Sequence, residues 1–217
     1  MQHFLAIRKQ RLCVVLPTGT SLAVDFNDLK LYQRLQQGSR FNLLIKALGL
    51  HKRQGNIIDA TAGLGQDSFI AAGFGANVYM FERNPYLSLI LQDGLERARL
   101  SNHKQAVAIT NKMHLINQDA STCASLGQMC IDLMPICIYL DPMYPKRAKS
   151  ALGKQQLRYL TELVGCDEDA NLLFAKAITL CNRVVVKRPK LAPTIVTSPK
   201  PALQMFGKST RFDIYLQ

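Results

Sequence analysis

Paired cysteines are missing from this chain, and histidines are few. The four histidines are scattered, and none of the six cysteines (Cys13, Cys123, Cys130, Cys137, Cys166, Cys181) forms a CxxC pair. The ligand spacing of a zinc site is therefore absent, and no metal is expected. Cysteines used this way read as small core residues of a reducing compartment. Long apolar runs are missing too. The opening stretch MQHFLAIRKQRLCVVLPTG is interrupted by Arg8, Lys9 and Arg11. That leaves too little for a signal-peptide core or a membrane span, so a cytoplasmic protein without a membrane partner is expected. Acids are scarce: 15 Asp and Glu stand against 27 Lys and Arg, for a net charge of +12. Such an excess favours a polyanionic partner, nucleic acid first and an anionic membrane surface second. Neither an internal repeat nor a low-complexity tract is present.

What the chain does have is material for a core. Of its 217 residues, 48% are hydrophobic, which suits one domain with a short appendage. Residues 1–50 form the predicted appendage. LCVVL and SLAVDF read as short strands bounded by PTGT and ND. LYQRLQQGSRFNLLIKALGL has apolar residues at helical spacing, with Gly38 as a possible break and Gly49 at its end. Residues 51–217 form the predicted main domain. NIIDA, NVYMFE, MHLINQD, ICIYLD and RVVVKRP read as strands. QDSFIAAGFG, PYLSLILQDGLERARL, QLRYLTELVG and DANLLFAKAITLC read as helices, with Pro85 in a first turn and Asp167 or Asp169 as an N-cap. ASTCASLGQMC is a helix or an irregular crossover. The C-terminal ALQMF and RFDIYLQ suggest a hairpin. This alternation predicts an α/β fold with a mostly parallel sheet and a C-terminal antiparallel hairpin.

In such sheets ligands bind beyond the carboxyl ends of the strands. The first predicted strand ends in DATAGLGQD. Gly63 and Gly65 permit a sharp turn and close approach of a ligand, and the next helix offers unpaired N–H groups. Asp59 and Gln66 belong to the same turn. Asp67 can cap the helix or accept from a cationic group. A dinucleotide fingerprint would place a third glycine at position 68, where the chain has Ser68. A cofactor with a carboxylate and an ammonium but no pyrophosphate fits better, and S-adenosylmethionine (SAM) has those groups. Glu82 lies 17 residues after Gly65 (82 − 65), near the spacing at which an acid meets ribose hydroxyls. Asp119 ends the third strand and could accept from an adenine amine. Each acid taken singly is equally a solvated strand-end residue.

The fourth strand runs into DPMY, residues 141–144. A carboxylate accepting from an exocyclic amine favours the charge that develops as the amine attacks an electrophilic methyl. Tyr144 can stack on a flat base, and Pro142 stiffens the turn. Asp141, Pro142 and Tyr144 are therefore the candidate catalytic residues. An ordinary packed tyrosine after a strand stop is the plain alternative. Lys146, Arg147 and Lys149 follow this loop, with Lys154 and Arg158 beyond. Lys187, Arg188 and Lys190 follow the fifth strand. The two runs leave one sheet edge, as a phosphate-binding rim would.

DPMY resembles the [DNS]-P-P-[YFW] signature of amino-group nucleic-acid methyltransferases, with Met143 in place of the second proline. Together DATAGLGQDSF, ERNP, YLDPMYPKRAKSAL, VVVKRP and RFDIY resemble the RsmJ family over roughly residues 24–216. That resemblance implies a Rossmann-like class I methyltransferase. The expected reaction is SAM-dependent methylation of guanine N2 in 16S ribosomal RNA, presented naked or in the 30S subunit. It also implies cofactor contacts from Gln66 and Asp67, Glu82 and Arg83, Asp119 and Ala120, and Asp141. Residue chemistry alone leaves adenine N6 and cytosine N4 open. It also leaves open a DNA amino-methyltransferase, a small-molecule methyltransferase, and a non-catalytic RNA-binding or assembly factor. The oligomeric state is not legible.

Overall fold

A computed structural model describes residues 4–16, 19–36, 38, 42–122, 124–143 and 169–217. Three strands open the chain: β1 (Phe4–Arg8), β2 (Arg11–Val15) and β3 (Ser21–Leu22). They form a small antiparallel sheet in that order. The helical stretch expected over residues 31–50, with Gly38 as its possible break, is two helices, α1 (Leu29–Gln36) and α2 (Leu43–Leu48), with Gly38 between them. Asn42 caps α2 by accepting from the amides of Leu44 and Ile45, and Gly49 closes it at φ 85°. The cap and the αL glycine define a separate short helix.

The main sheet has seven strands in the order β6-β5-β4-β7-β8-β10-β9. These are β4 (Asn56–Asp59), β5 (Asn77–Phe81), β6 (Met113–Ile116), β7 (Cys137–Leu140), β8 (Arg183–Pro189), β9 (Leu203–Phe206) and β10 (Thr210–Leu216). The four neighbouring pairs from β6 to β8 are parallel, and β10 runs antiparallel between β8 and β9. The connecting helices are α3 (Gln66–Gly73), α4 (Pro85–Arg99), α5 (Lys104–Thr110), α6 (Ser125–Leu133) and α7 (Ala170–Leu180). Helix α5 has no counterpart in the sequence reading. It is only seven residues long, and it is capped by His103 Nδ1 rather than by Ser, Thr, Asp or Asn. The expected helix over QLRYLTELVG lies outside the described residues.

Two apolar layers sandwich the sheet. On one face Ile57, Val78, Tyr139, Val185 and Ile214 pack with residues of α1 to α5. On the other, Ile58, Ile138, Leu140, Val184, Val186 and Tyr215 pack with α6 and α7. Adjacent residues of one strand divide between the layers because strand side chains alternate. The first fifty residues contribute Val14, Leu22, Val24, Phe26, Leu31 and Leu44 to the first layer, so the small sheet and the large one share a core. Arg97 of α4 reinforces this join. It donates to the Val24 carbonyl and pairs with Asp93, which accepts from the Leu12 amide. Cys13, Cys130, Cys137 and Cys181 are buried free thiols. Cys123 and Cys166 lie outside the described residues. Among the described residues no helix is long and apolar enough to cross a membrane.

Candidate active site

The strand order reverses at β4, whose neighbours are β5 on one side and β7 on the other. A cleft of about 250 Å³ opens at the carboxyl ends of these strands, where a switch point places a ligand. Its lining includes Asp59, Gly63, Gln66, Asp67, Glu82, Arg83, Asp119, Ala120, Asp141 and Pro142. Ten residues singled out in sequence thus meet at one place. Gly65 sits at the same turn, behind the lining. Tyr144, Lys146, Arg147 and Lys149 lie outside the described residues, as do Lys154 and Arg158.

The glycine turn works as expected of its residue types. Gly63 and Gly65 have φ of 55° and 69°, a region that side chains disfavour. A Cβ at Gly65 would lie 2.8 Å from Leu91 Cδ1, so a side chain there has no room. At Gly63, among the described residues, nothing lies within 4 Å of that position, which leaves the backbone open to an approaching group. Gly65 is also the N-cap of α3 and provides no side-chain cap, so the first amides of that helix remain for another acceptor.

Glu82 is buried, at 6% exposure. One of its carboxylate oxygens accepts from the Gly63 amide at 2.7 Å and the other from the Asn84 amide at 2.8 Å. The acid therefore ties the glycine turn to the start of α4, where Asn84 caps the helix and Pro85 occupies its first turn. Asp119 accepts from the amide and hydroxyl of Ser121. Burial pushes its carboxyl up, but these bonds and Arg83 outweigh that and hold it below the usual value. Arg83 bridges Asp119 at 3.4 Å and Asp169 at 2.6 Å. Asp169 is the N-cap residue of α7, as its sequence position suggested, but its side chain makes no capping bond. Its carbonyl accepts from Leu172 and Leu173 while its carboxylate turns to Arg83 and Ser121.

The other side of the cleft is built on charge. Lys187 Nζ donates to Asp67 at 2.8 Å and to Asp141 at 2.7 Å. Asp67 also accepts from Tyr139 Oη at 2.7 Å and pairs with Arg34 of α1 at 2.6 Å. Burial alone would raise the Asp67 carboxyl, but Lys187 and Arg34 hold it well below the ordinary carboxylate range. The same pairing raises Lys187 above its ordinary value against the opposing effect of burial. Burial pushes the Tyr139 phenol far up, and the carboxylates around it add to this. The Asp141 amide donates to Thr61 Oγ1 at 2.6 Å, which fixes the entry of the DPM turn against the glycine turn. Asp59 is buried beneath, accepting from Ser68 Oγ and the Thr61 amide. Burial raises its carboxyl to about 7, against the lowering effect of the Ser68 and Thr61 bonds, and the Asp67 and Asp141 carboxylates add to the rise.

Two expectations need correction. Lys187 is not on a phosphate rim but in the cleft, locked between two carboxylates. Arg188 is 3% exposed and donates twice to the Pro193 carbonyl, at 3.1 and 2.9 Å. The reason is strand alternation. Lys187 shares a face with Val185 and Tyr139, toward α3, while Arg188 points to the other layer with Val186. Asp67, expected to accept from the cofactor, already holds three side chains. Sequence reasoning missed Arg34, Tyr139 and Thr61. Arg34 lies on a separate helix 33 residues before Asp67, and only the packing of α1 on α3 joins them. Among the described residues no cluster of His, Cys, Asp or Glu could hold a metal ion.

Comparison with known proteins agrees with this geometry. A family model described as "Putative SAM-dependent methyltransferase" matches residues 2–217. The ribosomal RNA small subunit methyltransferase J of Coxiella burnetii is 43% identical over 206 residues, covering 92% of this chain and 78% of that protein. Its counterpart from Pseudoalteromonas atlantica is 41% identical over 204 residues, with the same coverage of both chains. The crystal structure of a SAM-dependent methyltransferase from Neisseria gonorrhoeae superposes with a TM-score of 0.77 at 32% identity, covering 99% of this chain and 82% of that one. An rRNA methyltransferase from Streptomyces viridochromogenes, 10% identical, shares the fold at a TM-score of 0.53, over 93% of this chain and 87% of its own. By sequence across nearly its whole length, and by fold, the chain belongs to the SAM-dependent methyltransferase family that includes the ribosomal RNA small subunit methyltransferase J proteins.

Proposed function

We propose that this protein methylates the exocyclic N2 amine of a guanosine in small-subunit (16S) ribosomal RNA, using SAM. One observation carries the reading. A glycine turn with an exposed backbone and a buried ribose-spacing acid shares a single cleft with the Asp141–Pro142 turn. The names of the relatives support ribosomal RNA as the substrate class. The N2 position rests on resemblance to the RsmJ family. Work on ribosomal RNA would place the protein in the cytoplasm.

The residues fit the cofactor. The Glu82 oxygens accept the Gly63 and Asn84 amides, which hold the carboxylate at the spacing at which an acid meets ribose hydroxyls. Asp119 and Ala120 stand where an adenine edge would meet an acceptor and an apolar wall. Gly63, Gln66 and the uncapped start of α3 suit a carboxylate. Bound SAM supplies an electrophilic methyl group on a sulfonium. Asp67 anchors Lys187 and Arg34 rather than receiving the cofactor's ammonium. Lys187 in turn fixes the Asp141 carboxylate. That carboxylate accepts from the target amine, orients its lone pair and favours the positive charge that develops on nitrogen. Pro142 leaves its carbonyl available as a second acceptor, and Tyr144 retains the stacking role that its motif implies.

The test is methyl transfer from labelled SAM to deproteinised 16S RNA and to 30S particles, both from cells lacking the modification. Digestion to nucleosides should return the label as N2-methylguanosine. Label in another nucleoside, or none in either RNA form, would overturn the reading.

A further inference from the structure

Lys187 and Arg188 are both engaged within the protein, so other cations must meet the phosphates of an RNA substrate. Between Asp169 and Asp213 the sequence contains no acid, but it has Lys176, Arg183, Lys187, Arg188, Lys190, Lys200, Lys208 and Arg211. The topology sorts them. Strand β8 runs parallel to β7, so its end at Pro189 lies on the cleft edge. Thr210 pairs with Pro189, and Arg211 pairs with both Arg188 and Phe206, so the β9–β10 turn projects from that same edge. The Lys190 amide donates to the Ser209 carbonyl at 3.0 Å, which sets Lys190 beside the turn that carries Lys208. Both lysines are exposed. Lys190 lies three residues beyond Lys187, about 10 Å along an extended strand. Lys200 precedes β9, whose first residue, Leu203, pairs with Ile214 toward the opposite end of the strands.

The platform is held from beneath. Arg188 donates to the Pro193 carbonyl, and Arg211 donates to the carbonyls of Lys190 and Ala192 at 3.0 and 2.9 Å. Arg211 is itself fixed by a buried pair with Asp213 at 2.6 Å. Two of the basic residues therefore stiffen the loop that presents the others. Phe206 ends β9 at 54% exposure, with the Arg211 guanidinium 6.0 Å from its ring centroid. Exposed cations interleaved with an exposed aromatic, and no acid near them in sequence, are the makings of a single-stranded nucleic-acid surface.

We infer that the loop after β8 and the β9–β10 turn form a docking platform for the substrate RNA. Lys190 and Lys208 meet backbone phosphates, and Phe206 stacks on a base flanking the target. The inference rests on the RNA reading above and adds where the RNA sits. It is tested with K190Q/K208Q and F206A, and with K52Q/K200Q as a control. That control removes two exposed charges, one ahead of β4 at the far sheet edge and one ahead of β9.

Binding to deproteinised 16S RNA is followed against salt, methyl transfer against RNA concentration, and SAM affinity by calorimetry. For K190Q/K208Q the slope of log affinity against log salt should shrink by about 1.4, two phosphate contacts on single-stranded RNA. Its KM for RNA should rise roughly tenfold, with saturating kcat and SAM affinity unchanged. F206A should raise KM roughly tenfold without changing the slope. An unchanged slope and KM in K190Q/K208Q, an equal loss in K52Q/K200Q, or binding to phosphatidylserine vesicles that is lost in place of RNA binding would each overturn the platform. Absence of methyl transfer by the wild type, with the salt slopes still distinguishing the variants, would remove the substrate assignment and leave the platform standing.

Discussion

The two halves of the cleft use acids differently. At the ends of β5 and β6, Glu82 accepts from the backbone amides of Gly63 and Asn84, and Asp119 from the amide and hydroxyl of Ser121 with Arg83 beside it. Beside the ends of β7 and β8, Asp67 of α3 and Asp141 are held by side-chain cations from distant elements. The first arrangement shapes a backbone to fit a ligand and is nearly self-contained. The second is an electrostatic lock in which no member is neutral toward the rest. A ligand that is always the same suits the first. A target group that must be oriented while its charge changes suits the second, because fixed charges around it need no reorganisation.

The electrostatic half depends most on Asp141. Asp141→Ala should lower kcat by about a hundredfold or more, with SAM affinity retained, because Lys187 keeps Asp67 as a partner and the fold stays intact. Full activity in that variant would remove Asp141 from the chemistry.

Lys187→Met leaves two carboxylates sharing the floor without their common cation. It should cost about 3 kcal/mol in denaturant unfolding and lower kcat roughly tenfold or more, with partial recovery in Lys187→Arg. A variant as stable and active as the wild type would mean that the lock has no role.

Glu82→Gln replaces one acceptor with a donor facing an amide. It should weaken SAM binding roughly tenfold by calorimetry and change kcat little. A large kcat loss at saturating SAM would mean that the halves are not separable.

The smallest effect concerns Asp59, which lies under both halves. Its raised carboxyl, at about 7, means that the folded state takes up a proton between about pH 4 and 7 that the unfolded state has released. Its contribution to stability is therefore greatest at low pH and falls as pH rises through 7, by at most about 4 kcal/mol. Asp67 acts in the opposite sense, since its depressed carboxyl stabilises the fold above about pH 4 and that stability is lost on acidification. In Asp59→Asn, the melting temperature relative to wild type should climb between pH 5 and 8. A flat difference would show that Asp59 titrates normally.

Much of the backbone-shaped half was legible in the sequence. Gly63, Gly65 and Glu82 follow from local rules about turns and the spacing between successive strand ends. Asn84 and Pro85 mark a helix start for the same kind of reason. The electrostatic half was legible only in part. Asp141 is marked by its turn, but its partner Lys187 reads in sequence as one cation of a basic run. Whether a strand residue faces the cleft or the opposite layer depends on the register of β8 against β7, which no short stretch encodes. Arg188, one residue on, became a buried pin for the same reason.

By itself the sequence determined the alternation of strands and helices, the hairpin at the end, and five of the six acids that line the cleft. These depend on periodicity, glycine and proline, which act within a few residues. Only the tertiary structure decided which cation each acid holds, that α1 reaches the cleft through Arg34, and that Lys190 and Lys208 stand side by side. Those pairings join residues separated by 18 to 120 positions. They exist because helices pack on a sheet whose strand order differs from its chain order.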